Sequence, residues 1–218
     1  MNPRALGVIF DMDGVLVDTV GRNWQAHNEI LAQYGVQIHD TEIGDFVGRA
    51  LGDQLQMINE RYGLKLDAAE FESSIAKLQD RLQAHVKPKP GVVRLIEELQ
   101  RLKVPIAVGT SSPREVALKR LNTAGLIHHF ETIVTRDEVE HHKPNPEVYL
   151  FAAKELVRDP RHCVVIEDAP SGLLAAHNAG AKCVAVTVSY VDPKRMESAD
   201  LVVRSLEGVT AEALALLL

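Results

Sequence analysis

Asp11-Met12-Asp13-Gly14 follows directly on Ala5-Leu6-Gly7-Val8-Ile9-Phe10, and how this junction is read decides the fold. The apolar run reads as a short strand buried on both faces. Two carboxylates one residue apart at the C-terminal end of such a strand are costly unless a charged partner meets them. A metal ion or a charged substrate is the natural partner. Gly14 permits the sharp backbone exit that a strand-end loop needs. The plainer reading is a turn whose aspartates cap the next helix. A calcium loop of EF-hand type is excluded, because counting from Asp11 puts Leu16 and Arg22 where that loop needs its glycine and glutamate.

The 218 residues, 46% hydrophobic and 25% charged, have ordinary globular composition and allow one large domain or one domain with an insertion. A net charge of -6 without any Lys/Arg run argues against nucleic acid as a partner. Met1-Asn2-Pro3-Arg4 leads straight into the strand, and no run of about 18 apolar residues occurs. A cytoplasmic monomer without membrane contact is expected. Cys163 and Cys183 each open an apolar run, which predicts buried free thiols, not a disulfide framework.

Outward from the first strand, Trp24, His27, Leu31 and Tyr34 recur at helical spacing up to Gly35, and Leu51, Leu55, Ile58 and Tyr62 do so up to Gly63. Phe71, Ile75, Leu78 and Leu82 mark a third helix. The interval 19–87 therefore reads as a small helical unit, closed by Lys87-Pro88-Lys89-Pro90-Gly91 as a hinge. Beyond it helices and strands alternate: helix 92–103, strand 104–108, helix 113–124, strand 132–134, helix 146–156, strand 163–166, helix 171–179 and strand 183–188. A strand about Val202 and a helix capped by Thr210 close the chain. This alternation predicts an α/β protein with a doubly wound parallel sheet formed by 1–18 and 88–218, the helical unit being inserted at the carboxyl end of the first strand. Ligands of such sheets bind beyond the carboxyl ends of the strands.

The residues at those ends are chemically related. After the second strand, Ser112, Pro113 and Glu115 make a capping box, which leaves the hydroxyls of Thr110 and Ser111 for an anion at the helix N-terminus. After the third, Lys143 precedes Pro144-Asn145-Pro146-Glu147, and after the fourth come Glu167-Asp168. Together these fit phosphoryl transfer through an aspartyl phosphate. Asp11 and Asp168, with a backbone carbonyl, offer hard oxygen ligands for Mg²⁺. Lys143 balances charge, Thr110 and Ser111 donate to phosphate, and Asp13 serves as acid and then base.

Asp11-x-Asp13-Gly14, Thr110, Lys143-Pro144-x-Pro146-Glu147 and Glu167-Asp168, in this order and each at a strand end, resemble the haloacid dehalogenase-like superfamily. The resemblance implies Asp11 as nucleophile, Asp13 as acid/base, Mg²⁺ as cofactor with Asp13 lending its backbone carbonyl, and Glu167 as a ligand acting through water. The helical insertion is similar to the cap of the beta-phosphoglucomutase-like branch, where the cap selects the substrate, and Asp18-Thr19 would lie at its hinge. Arg49, in Val47-Gly48-Arg49, stands where that branch places specificity residues. The expected activity is Mg²⁺-dependent hydrolysis of a small phosphorylated metabolite, a sugar phosphate by class. A phosphomutase is the nearest alternative, although the mutase carries a histidine where this chain has Asn23 and a lysine where it has Pro113. A non-catalytic binder of phosphorylated ligands is an alternative of another class, and halide removal is disfavoured by the second aspartate. His128-His129 and His141-His142 are not metal pairs, because adjacent side chains diverge. His27 shares the stripe of Trp24 and Leu31 and is expected to be a satisfied packing residue.

Overall fold

In the computed structural model, which describes residues 6–82 and 86–218, the strand segments pair in parallel into one six-stranded sheet. β1 (Gly7–Phe10), β2 (Ile106–Gly109), β3 (Thr132–Val134), β4 (Cys163–Glu167), β5 (Lys182–Val186) and β6 (Leu201–Val203) lie in the order β3-β2-β1-β4-β5-β6. The order reverses at β1, between β2 and β4, and such a switch point opens a crevice at the carboxyl ends. Residue alternation sorts the sheet's two faces. Val8, Phe10, Val164, Ile166, Val184 and Val186 enter one core with α5 (Val92–Arg101), α6 (Arg114–Thr123) and α9 (Ala211–Ala215). Ile9, Val165, Cys183 and Ala185 enter the other with α7 (Glu147–Glu155) and α8 (Pro170–Asn178). In α5 the buried positions Val92, Leu95, Ile96 and Leu99 fall at helical spacing. Each contributes roughly 1.5–3 kcal/mol by burial.

Between β1 and the proline linker lie α1 (Val20–Leu31), α2 (Asp40–Phe46), α3 (Leu51–Tyr62) and α4 (Ala68–Leu82). They share a separate apolar cluster built on Trp24, Phe46, Ile58, Phe71 and Ile75. The side-chain amides of Asn28 and Asn59 close its loops by bonding both backbone groups of Ile38 and of Leu66. Among the described residues no helix is long and apolar enough to cross a membrane. Cys163 and Cys183 are buried free thiols, as expected.

Several boundaries differ from expectation. α2 was not foreseen, because its seven residues carry Gly44 and too few turns for a periodic stripe. The second strand begins at Ile106, two residues later than expected, and the fifth ends at Val186. The capping box on Ser112 does not form: Pro113 occupies the N-cap position, and the Asp137 carboxylate accepts from the Arg114 N–H at 2.8 Å. The linker is pinned more firmly than a free hinge. Pro88 bridges to Val17, which itself bridges to Asp13, and the Lys89 N–H bonds the Leu16 carbonyl at 2.9 Å. The reading of Ala5 as strand falls outside the described residues.

Candidate active site

Asp11, Thr110, Glu167 and Asp168 terminate or immediately follow β1, β2 and β4, so the sheet itself brings them together. Lys143 joins them from the loop before α7, which starts where the Asn145 side chain accepts from the Glu147 N–H at 3.0 Å. The lysine is 1% exposed. Its ammonium donates to Asp11 Oδ1 at 2.6 Å, Glu167 Oε1 at 2.7 Å and the Gly109 carbonyl at 3.2 Å. Burial opposes this charge, but the carboxylates of Asp11 and Glu167 override it and hold Lys143 protonated.

Glu167 is saturated. Its Oε1 accepts from Lys143 and from the Tyr149 hydroxyl, and its Oε2 from the backbone N–H groups of Asp168 and Ala169. It anchors the lysine and the loop, and supplies charge without offering an open ligand atom. Asp168 Oδ2 accepts from the Tyr190 hydroxyl at 2.7 Å, while Oδ1 has no hydrogen-bond partner among the described residues. Asp11, Glu167 and Asp168 present oxygens within 4.8 Å of one another. Burial raises the Asp11 carboxyl well above its ordinary value, with Lys143 pulling against it. Burial and the neighbouring Glu167 push Asp168 up to about 7. One ammonium among these acids leaves negative charge uncompensated, the condition that a divalent cation relieves. Gly14 (φ +86°) allows the close approach, since a Cβ there would lie 1.8 Å from Asp168 Oδ2.

These shifts fix a sign. A carboxyl whose folded-state value is raised is ionised first in the unfolded chain, so its contribution to stability falls as pH climbs from about 3.8 to about 7 for Asp168. Groups facing Asp168 include Glu167, Tyr190, Lys89 and Lys143. Asp168→Asn is therefore expected to raise the Tm of metal-free protein, by an increment that grows between pH 5 and pH 8. A difference in Tm that stays constant across this range would contradict the burial of an ionised carboxylate.

A cavity of about 300 Å³ lies over this cluster, lined by Asp11, Asp13, Trp24, Arg49, Thr110 and Ser111 among others. Thr110 Oγ1 accepts from the Ser112 N–H at 3.1 Å. The Ser111 hydroxyl donates to the Gly48 carbonyl and that of Ser171 to the Val47 carbonyl, which docks the Val47-Gly48-Arg49 loop onto the loop after β2 and the first turn of α8. Arg136 pairs with Glu72, and Arg195 with Asp45 at 2.8 Å, across the same boundary. Arg49 lines the cavity and donates from Nε to the Asp45 carbonyl at 3.2 Å. Gly48 (φ +80°) makes the docking possible, because a Cβ there would lie 2.5 Å from Ser171 Oγ and 2.7 Å from Ala169 Cβ. Left-handed backbone costs a residue with Cβ about 1–2 kcal/mol before any clash. Gly48→Ala is expected to lower kcat/KM about tenfold by shifting the loop over the cavity and to lower Tm by roughly 2–8 °C, measured by steady-state kinetics and a thermal scan.

The second aspartate stands apart from the acidic cluster. Asp13 Oδ1 accepts from the Thr19 hydroxyl and Oδ2 from Ser112 Oγ at 2.8 Å, and Arg120 donates to both oxygens at 2.7 and 2.8 Å. Arg120, Tyr190 and Lys89, whose ammonium holds the Gly14 carbonyl at 2.7 Å, were missed in the sequence. The one available signal for Arg120 was its place beside Ala117 and Leu121 on the buried face of α6. His27 is buried against Trp24, with ring centroids 4.5 Å apart, and its Nδ1 meets the Asn23 carbonyl at 2.8 Å. Its Nε2 has no hydrogen bond among the described residues, contrary to expectation, and burial lowers its pKa to about 4.

Fold and strand-end acids together define a class. The model of the haloacid dehalogenase-like hydrolases matches residues 8–186, and the chain belongs to that family as one of its enzymes. Validoxylamine A 7'-phosphate phosphatase of Streptomyces hygroscopicus subsp. limoneus is 32% identical over 203 residues, 92% of this chain and 94% of that protein. A fructose-1-phosphate phosphatase of Escherichia coli (strain K12) is 35% identical over 187 residues, 85% of this chain and 98% of that protein. The crystal structure of beta-phosphoglucomutase from Clostridium difficile matches with a TM-score of 0.88 at 24% identity, over 97% of this chain and 96% of that one, which shows the same fold.

Proposed function

We propose that this protein is a Mg²⁺-dependent phosphatase that hydrolyses a small phosphorylated metabolite, a sugar phosphate by class, through an aspartyl phosphate on Asp11. The observation that carries the reading is Asp11 itself, buried at a strand end on the cavity, its Oδ1 held by Lys143 and its Oδ2 unbonded among the described residues. A carboxylate fixed in this way is a nucleophile that splits a slow hydrolysis into two steps. Relatives that are phosphatases of fructose 1-phosphate and of hexitol phosphates support the substrate class.

The charge deficit around Lys143 and the open Asp168 Oδ1 fit a divalent cation with oxygen ligands. Asp11, Asp168 and the backbone carbonyl of Asp13 would hold it. When bound, Mg²⁺ neutralises charge between the attacking carboxylate and the phosphate. Thr110 and Ser111 bind phosphate oxygens, Lys143 balances the charge of Asp11, and Arg49 meets the rest of the substrate. Asp13 gives a proton to the leaving oxygen and later takes one from water. Residues 19–87 act as a cap that opens on 1–18 and 88–218 to admit the substrate. Two buried free thiols suit a reducing cytoplasm.

A panel of phosphorylated metabolites, assayed for released phosphate after chelation and again with Mg²⁺, tests the reading. Mg²⁺-dependent release from a sugar phosphate is the expected result. Binding of phosphate esters without release would make the chain a non-catalytic binder. Phosphorus NMR showing isomerised sugar phosphate ahead of free phosphate would make it a mutase.

A further inference from the structure

We propose that Arg120 is a positioning residue, which sets the orientation of the Asp13 carboxylate and links it, through Asn23, to α1. The inference rests on the reading of Asp13 as the group that moves the proton. Arg120 lies on the apolar face of α6 between Ala117 and Leu121 and is 4% exposed. A guanidinium in that place is costly unless its partners are fully engaged. Its NH1 donates to Asp13 Oδ1 at 2.7 Å, Asp13 Oδ2 at 2.8 Å and Ser112 Oγ at 3.1 Å, while NH2 donates to Asn23 Oδ1 at 3.1 Å. NH1 alone spans both oxygens of Asp13, and the planar guanidinium lets NH2 reach Asn23 at the same time, two directions fixed by one rigid group where a lysine ammonium offers a single point charge.

The partners divide by origin. Ser112 and Arg120 belong to the sheet's second crossover, whereas Asn23 lies in α1 and Thr19 just before it. Arg120 and Ser112 alone give Asp13 donors on both oxygens, and Thr19 adds a second donor to Oδ1. Asn23 is an acceptor for the NH2 group that does not meet Asp13, so it orients the guanidinium from the α1 side while NH1 holds the carboxylate. Ser112 serves the same end, which explains why its hydroxyl is turned away from capping α6.

The test is steady-state phosphate release from a sugar phosphate by the parent, Arg120→Ala, Arg120→Lys, Asn23→Ala, Asp13→Asn and the Arg120→Ala/Asp13→Asn pair, with a thermal scan of each. Misplacement of a reacting group by about 1 Å can cost on the order of 100-fold. Arg120→Ala is expected to lower kcat about 10- to 100-fold with KM nearly constant, and Asn23→Ala to lower it less. Guanidinium ion added to Arg120→Ala should restore part of the rate, and Arg120→Lys should retain part of it. On the Asp13→Asn background the Arg120 substitution should change the residual rate less than about twofold, since coupled positions are not additive. A raised KM at parental kcat would make Arg120 a substrate clamp, and full additivity with Asp13→Asn would give it a role independent of Asp13. Either result overturns the proposal. If Arg120→Ala does not fold, Arg120→Lys and its pair with Asp13→Asn carry the same test. A parent that releases no phosphate overturns the function reading instead.

Discussion

Asp11→Asn is expected to abolish phosphate release, by on the order of 10⁴-fold or more, while the protein remains folded. The amide is nearly isosteric and keeps an oxygen that can accept from Lys143 Nζ, now at 2.6 Å from Asp11 Oδ1. It is a far poorer nucleophile and cannot form an aspartyl phosphate. Stability should not fall, because burial already holds the Asp11 carboxyl well above its ordinary value. Replacing it with a neutral group removes a buried charge that competes with Glu167 and Asp168 for one ammonium. Metal-free Asp11→Asn should therefore unfold at or above the parental Tm, and its Tm should rise less on addition of Mg²⁺. Release of phosphate at a rate near the parent's would refute the nucleophile assignment. A loss of activity accompanied by a collapsed Tm would show that Asp11 is needed for folding and leave no case for its chemistry.

The acidic ends of β1 and β4 were legible because they break a strong apolar pattern at the place where ligands of parallel sheets bind. Lys143 was legible only in part. Its loop fixed it at the sheet rim, but its burial between Asp11 and Glu167 arises from a juxtaposition of residues 11, 143 and 167 that local pattern does not encode. Arg120 was hidden for a related reason. A periodicity analysis treats an arginine beside Ala117 and Leu121 as a gap in the stripe, whereas the fold supplies a carboxylate from Asp13, 107 positions away. Ser112 shows competition between two sound local arguments. Its hydroxyl had a capping role in reach, and the pair formed by Asp13 and Arg120 outbid it by offering charged partners, which make stronger hydrogen bonds. Tyr190 approaches Asp168 from a loop after β5 that carries no motif. What sequence pattern conveyed was the frame and the groups anchored on it; what it withheld was the set of long-range contacts that hold those groups in register.

Lys143→Met should be the most destabilising single change in the site. The side chain would fit the space, and its thioether would still pack on Tyr149, whose ring centroid lies 4.7 Å from the ammonium. The carboxylates of Asp11 and Glu167 would lose their shared buried partner. Breaking a buried ion pair from one side costs about 3–5 kcal/mol. For a chain of this size each kcal/mol moves the Tm by roughly 2–4 °C, so a drop on the order of 10 °C is expected in metal-free protein. Glu167 limits the damage by retaining the Tyr149 hydroxyl and the N–H groups of Asp168 and Ala169. Because the missing positive charge is what the variant lacks, Mg²⁺ should recover more Tm in Lys143→Met than in the parent. Activity should stay low even so, since the ammonium is a fixed charge beside Asp11, the nucleophile proposed above, and losing one such electrostatic partner costs about 10²–10³ in kcat. Differential scanning calorimetry with and without Mg²⁺, beside a phosphate-release assay, reads all three quantities. A parental Tm in metal-free Lys143→Met would mean that Asp11 and Glu167 are not held as a buried charged cluster by this lysine.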